Sequence, residues 1–240
     1  ALGRLRQAES TAGDIIVRAW VLEEHAAEAQ STARVAARAV QAFEDLLGPY
    51  PYDELDVVDA PGAFGGIEYP ALVYIGVIGE PGDDLVIVHE VAHQWFYALI
   101  GNDQLDEPWL DEAAASYAEV LYLEAIGEPQ AATGLLDQFR LILRATGEAD
   151  TPIGLPISAY ASESDYGVFV YLKGALFFDA LRSRLGESAF LAFLRDYSAR
   201  HRYGFATSAS FQETAEAACA CDLNDLIDLW VYVGGDLKLP

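Results

Sequence analysis

His89, Glu90 and His93 stand at a spacing that suits metal chemistry. The run His89-Glu90-Val91-Ala92-His93 sets two imidazoles four residues apart. On a helix such residues share one face. Their nitrogens can then converge on one ion, as a tetrahedral zinc site requires. Glu90, between them, can reach a water activated by the metal and serve as its base. The flanking Ile87, Val88, Val91 and Ala92 are apolar, so the helix is buried. Polar groups placed there cost stability unless they are used. A catalytic zinc site needs a third ligand, and Glu112 in Trp109-Leu110-Asp111-Glu112 lies 19 residues after His93. That leaves room for one helix to end, a short loop, and the first turn of another. Asp111 is the rival ligand, but on a helix it points about 100° away from its neighbour. Glu119 falls on nearly the same face as Glu112. It reads either as a carboxylate that orients a ligand histidine or as a surface glutamate. Together these residues imply a zinc-dependent hydrolase, with a peptidase foremost.

The elements that must hold them follow from periodicity and punctuation. Residues 14–22 and 55–58 read as strands, as do 72–77. Residues 26–47 have apolar positions at helical spacing and stop at Gly48. The segment 61–66 is Gly-rich and exposes its backbone. Asp83 or Asp84 should cap the metal-bearing helix, which is expected to run to about Ile100 and end at Gly101. Asp106-Glu107-Pro108 opens a helix over about 109–126. Another helix spans about 129–145, and 147–162 reads as a loop. Helices then follow over about 164–185, 188–198, 208–220 and 223–233. No internal repeat is present. The expected fold class is α+β, mostly α. A mixed α/β front lobe covers about 26–127, an all-helical back lobe about 128–240, and 1–25 is set apart as a remnant of a preceding β-domain.

Composition narrows the partners. Thirty-eight acidic against 14 basic residues give a net charge of −24. Phosphate contacts need Lys and Arg, so nucleic acid is excluded as a partner. The charge suits a cationic ligand such as a peptide with a free amino terminus; a solvated acidic surface is the plainer alternative. No apolar run reaches the ~18 residues of a membrane-spanning helix. There is no methionine and the sequence begins at Ala1. A piece of a longer protein is therefore expected, with any targeting signal outside it. The compartment stays open, with a lean to an extracytoplasmic or membrane-associated setting. Cys219 and Cys221 fall at the end of an expected helix, where side chains two apart diverge. They are expected not to bridge and to serve as buried small hydrophobes. His25 and His201 read as surface residues.

Four blocks, in order, resemble the membrane alanyl aminopeptidase (aminopeptidase N) family of zinc gluzincins. His89-Glu90-Val91-Ala92-His93-Gln94-Trp95 with Glu112 is similar to that family's zinc signature. Gly65-Gly66-Ile67-Glu68-Tyr69-Pro70 is similar to its G-x-M-E-N exopeptidase motif. Val170-Tyr171-Leu172-Lys173-Gly174 is similar to its V-Y-E-K-G segment, and Leu47-Gly48-Pro49-Tyr50-Pro51-Tyr52 to its F-G-x-Y-P stretch. The blocks cover about residues 42–195.

The resemblance implies a thermolysin-like metallopeptidase domain that removes N-terminal residues from peptides. It implies one zinc ion on His89, His93 and Glu112, with Glu90 as the base. It implies that Tyr171, helped by Tyr166, donates to the oxyanion of the reaction. Glu68 would pair with the substrate α-ammonium, and the backbone of Gly65 and Gly66 would receive an extended peptide as an added strand. Ile67 and Tyr69 depart from the family's Met and Asn, which puts the preference for the first side chain in doubt. Full-length members carry further domains on both sides. Two other functions remain in play. One is a zinc endopeptidase or other gluzincin hydrolase, which would not discriminate against N-acetylated substrates. The other is a non-catalytic metallopeptidase-like binding module, which has no need of Glu90 and Tyr171.

Overall fold

Val17, Ala19 and Val21 alternate with less buried neighbours and have no exposed surface. A period of two with one covered face is a strand on one side of a core. The computed structural model, which describes residues 4–62, 64–147 and 150–235, extends that face across a five-stranded sheet. Its strands are β1 (Leu5–Ala12), β2 (Ile15–Leu22), β3 (Glu54–Asp59), β4 (Gly66–Tyr69) and β5 (Leu72–Ile75). They lie in the order β1-β2-β3-β5-β4. β2, β3 and β5 run parallel, while β1 and β4 pair antiparallel at the two edges. The register carries the buried face across: Val17 opposes Leu55, Val57 opposes Val73, and Asp59 opposes Ile75.

Helix α1 (Ala29–Leu47) makes the crossover from β2 to β3 and covers β1 and β2. Its buried face is built mainly of Ala33, Ala36, Val40, Phe43 and Leu47. Helix α2 (Asp83–Ala92) lies against β4 and β5. All of these elements belong to one compact unit, Ala1–Ala98. The sequence reading sets 1–25 apart; here Leu5–Ala12 and Ile15–Leu22 are strands of the same sheet as β3. Residues 1–3 of that stretch, Ala63 of the Gly-rich segment, and residues 148–149 of the expected loop lie outside the described residues.

The second compact unit is Leu99–Pro240, a division that differs from lobes drawn near residue 127. It holds β6 (Ile100–Gly101), α3 (Trp109–Ala125), α4 (Pro129–Thr146) and α5 (Glu163–Tyr166). α5 runs into a π-helical stretch, Gly167–Lys173, and on into α6 (Gly174–Leu185). Then come α7 (Glu187–His201), β7 (Gly204–Phe205), α8 (Ser208–Cys219) and α9 (Asn224–Ile227), with a second π-helical stretch over Asp228–Tyr232. Buried aromatic rings form its centre. Phe211 sits edge-on to Trp109 and Phe193, both at 5.0 Å between ring centres. Gly174 lets α6 lie directly on α3, for a Cβ there would stand 2.4 Å from the Ala113 Cβ.

Four further expectations are corrected. The back half is not all helical, because β6 pairs in parallel with β7. The metal-bearing helix does not reach Ile100: Tyr97 takes φ 121, which no right-handed helix accommodates. The backbone beyond it bonds elsewhere, Tyr203 N–H to Leu99 O and Ala206 N–H to Gly101 O. The cysteines do bridge. Helix α8 ends at Cys219, Ala220 turns left-handed at φ 52, and Cys221 swings back to a Cα separation of 5.2 Å. Both are half-buried. His25 and His201 are also half-buried rather than free on the surface. His25 Nδ1 lies 2.6 Å from Oδ2 of buried Asp59, and burial lowers the pKa of His201.

Candidate metal centre

Asp83 and Asp84 occupy the first turn of α2, where the helix dipole favours negative charge. Gly82, at φ 92, leads into it without a side-chain cap. The apolar positions Ile87, Val88 and Val91 bury the helix, and with it His89, Glu90 and His93. Nε2 of His89 and Nε2 of His93 stand 3.1 Å apart. Two nitrogens of a tetrahedral zinc site, each at the usual bond length, would be about 3.3 Å apart. The pair therefore fits one ion without rearrangement.

The end of α2 completes the arrangement. Because the chain turns after Ala92, the carbonyl of Phe96 comes to 2.9 Å from Nδ1 of His93. Nδ1–H donates to that carbonyl, which fixes the tautomer and leaves the Nε2 lone pair for a metal. Had the helix continued to Ile100, that carbonyl would have pointed along the axis to an amide four residues on. The sequence gives no sign of this contact, since it depends on a turn that tertiary bonding imposes.

Beside α2 runs β4. A Cβ on Gly66 would fall 2.3 Å from Glu90 Oε1, so the Glu90 side chain occupies the space that a residue at 66 would fill. Alternate residues of a strand face the same side. Glu68 thus shares the α2-facing side with Gly66, opposite buried Val73. Ile67 and Tyr69, the departures from the family motif, face the other side. There Tyr69 meets the ring of Tyr74 edge-on, 5.8 Å between centres. Gly65 is exposed at the start of this edge strand, and its carbonyl accepts from Gly76 N–H at 2.8 Å.

In the second unit, Glu112 lies in the first turn of α3. Asp111 is fully buried. It accepts from Asn102 Nδ2 at 3.0 Å, Gln104 Nε2 at 2.9 Å and the Glu112 amide at 3.0 Å. Its oxygens tie down the segment leading into α3, which separates its role from that of Glu112. Glu119, two turns further on, is half-buried.

Tyr171 is hydrogen-bonded to Glu112 and to Tyr166. Burial, then the charge of Glu112, holds its pKa far above the ordinary tyrosine value, so the hydroxyl stays protonated. The Tyr166 hydroxyl is raised by the same two causes in the same order. Residues five apart on an α-helix diverge by about 140°. The i→i+5 bonding of a π-helix brings them back to one face, and the two tyrosine rings meet edge-on at 5.6 Å. The sequence displays both tyrosines but not the π-helical turn that unites them. The first unit thus supplies His89 and His93, and the second supplies Glu112. Two imidazoles and a carboxylate are the donor set of a catalytic zinc site.

Comparison with known proteins agrees. The peptidase family M1 domain matches residues 83–230. Aminopeptidase M1-B of Oryza sativa subsp. japonica is 30% identical over 219 residues, covering 84% of this chain and 25% of that protein. Aminopeptidase B of Homo sapiens is 32% identical over 172 residues, covering 64% of this chain and 26% of that protein. Among solved structures, an M1 zinc metallopeptidase mutant from Deinococcus radiodurans bound to a Tyr-Ser-Ala substrate has the same fold. Its TM-score is 0.81 at 23% identity, over 99% of this chain and 53% of that one. The chain thus spans about a quarter of the length of the curated relatives it matches. A family domain that covers most of the sequence, including both histidines, Glu112 and both tyrosines, decides the assignment: the chain belongs to peptidase family M1.

Proposed function

We propose that this chain is the catalytic part of a zinc aminopeptidase, with one zinc ion on His89, His93 and Glu112. The observation that carries the reading is the pair of imidazole nitrogens 3.1 Å apart on α2, with Glu90 between them in sequence. Zinc, when bound, polarises the scissile carbonyl and lowers the pKa of water. Glu90 takes the proton of the attacking water and passes it to the leaving amine. Tyr171, kept protonated by burial, donates to the developing oxyanion, and Tyr166 buttresses its ring. Glu68 pairs with the substrate α-ammonium. The free edge of β4, with Gly65 exposed, suits an extended peptide added as a further strand. Glu119 orients a ligand histidine, and Asp111 sets the first turn of α3 and so the direction of Glu112. The fold is organised as a thermolysin-like domain within a longer protein.

Relatives named aminopeptidases and a fold relative bound to a tripeptide support a peptide substrate. The net charge of −24 favours approach of a cationic amino terminus. The test is hydrolysis of a panel of aminoacyl chromogenic substrates, free and N-acetylated, with and without a chelator. Chelator-sensitive cleavage of the free substrates alone is expected. Glu90→Gln should retain zinc and lose about 10²–10⁴-fold in kcat. Equal cleavage of N-acetylated substrates would make the enzyme an endopeptidase instead.

A further inference from the structure

Gln94 follows the metal-facing His93 directly and has no exposed surface. Its amide makes two bonds to one turn. Oε1 accepts from Ala71 N–H at 2.7 Å, and Nε2 donates to the Tyr69 carbonyl at 3.1 Å. That turn is Pro70-Ala71, which joins β4 to β5 between the paired residues Tyr69 and Leu72. It is poorly suited to a hairpin. Two-residue hairpins favour a positive φ at the first position, whereas proline fixes that angle negative. The positive angle falls instead on Ala71, at φ 58, a region that disfavours any residue with a Cβ. The sign pattern is that of a type II turn, whose twist splays the strands it joins. The turn therefore does not hold its own shape, and the Gln94 amide clamps it.

We propose that Gln94 is a positioning residue that fixes Glu68 relative to the metal-bearing segment. The β5 leg of the hairpin is held by parallel pairing with β3, and Asp56 N–H donates to Ala71 O at 3.0 Å. The β4 leg is an edge strand. It is tied to the α2 segment at its start, where Gly66 lies against Glu90, and at its tip, where Gln94 grips the turn. Glu68 sits between these two ties. Loss of the Gln94 amide frees the tip, and the carboxylate that receives the substrate amine moves with it. This rests on the reading of Glu68 as the amine-binding residue.

The experiment compares wild type, Gln94→Met, Gln94→Glu, Glu68→Ala and the double variant Gln94→Met/Ala71→Gly, each in the full-length zinc-loaded enzyme. Zinc content, kcat and KM are measured on a free-amine aminoacyl substrate. Gln94→Met should raise KM by about tenfold with zinc content unchanged and kcat little altered. Glycine at 71 removes the backbone penalty and should return part of that KM. Gln94→Glu keeps the acceptor for Ala71 but loses the donor, so an intermediate KM is expected; it carries the test if the methionine variant does not fold. If Glu68→Ala raises KM and the Gln94 variants do not, the inference is overturned and the reading of Glu68 stands. If neither raises KM, the reading of Glu68 fails and the inference falls with it. A Gln94 variant that loses zinc at unchanged KM would show the residue acting on His93, which also overturns the proposal.

Discussion

Gly66→Ala is the sharpest perturbation of the proposed base. The added Cβ would lie 2.3 Å from Glu90 Oε1 and 2.4 Å from both its Cδ and Cγ. Carbons in contact settle about 3.5–4.0 Å apart, so the carboxylate must retreat by more than about 1 Å. Glu90 is only 6% exposed, which leaves it little room to give way. The three nearest atoms to the new methyl all belong to Glu90, so the two histidines should keep their places and their metal. A misplacement of about 1 Å in a catalytic group costs on the order of 10²-fold, or about 2.7 kcal/mol in the barrier. The assay is kcat on an aminoacyl chromogenic substrate alongside zinc content. Gly65→Ala is the comparison for kcat, because its Cβ would meet only Val86 Cγ1 at 3.8 Å, an ordinary contact, and would not displace Glu90. Gly66→Ala should lose kcat with zinc retained, whereas Gly65→Ala, which lies on the proposed peptide-binding edge but leaves Glu90 untouched, should keep kcat and change KM alone. An unchanged kcat in Gly66→Ala would refute the placement of Glu90 or its role. Equal loss in both would mean that the segment is merely sensitive to any added side chain.

Tyr171→Phe should lower kcat by about 10²–10³-fold with KM and zinc content little changed; an unchanged kcat would remove it from oxyanion stabilisation. Gly174→Ala pushes a methyl to 2.4 Å from the Ala113 Cβ and should cost about 1–3 kcal/mol in denaturant unfolding. A variant as stable as wild type would mean a looser crossing of α3 and α6. Lys173, fully buried, donates to the Thr151 carbonyl beside the Trp230 ring. Burial, opposed in part by Asp150, pushes its pKa down to about 8, whereas the unfolded chain titrates near ~10.4. The folded state then binds fewer protons between those values, so stability rises with pH across that window. Relative to Lys173→Met, wild type should gain about 2 kcal/mol from pH ~7 to ~9.5, and a flat difference in denaturant titrations would contradict it.

The residues that could hold the metal are legible because their placement is local. His89 and His93 need only a helix, and Glu112 needs only a second helix start at a short remove. Local propensity also reveals β2, β3 and α1, where Ile, Val, Trp and Ala dominate. β1 is hidden because Leu5–Ala12 holds few strand-forming residues and is ordered by pairing with β2. The early end of α2 is hidden because Leu99 and Gly101 take their backbone partners about a hundred residues away. The disulfide escapes for a similar reason, since a single left-handed alanine, Ala220, undoes the helical geometry that kept the cysteines apart. The grip of Gln94 on the Pro70-Ala71 turn is the least legible of all, because an amide in an apolar run gives no hint of which backbone it serves.

The π-helical stretch Gly167–Lys173 makes this helix intolerant of changes in length. Deleting one residue there would let it relax to ordinary α geometry. If the downstream part kept its place, Tyr166 and Tyr171 would no longer stand five residues apart in a widened turn, and their rings would separate. If the tyrosines held instead, α6 would rotate by about 100°. Gly174 would leave Ala113, and a larger side chain would arrive at a crossing with no room for it. Substitutions in this segment are therefore easier to accommodate than insertions or deletions. Chains that keep the tyrosine pair and the small-residue contact should also keep the residue count between them.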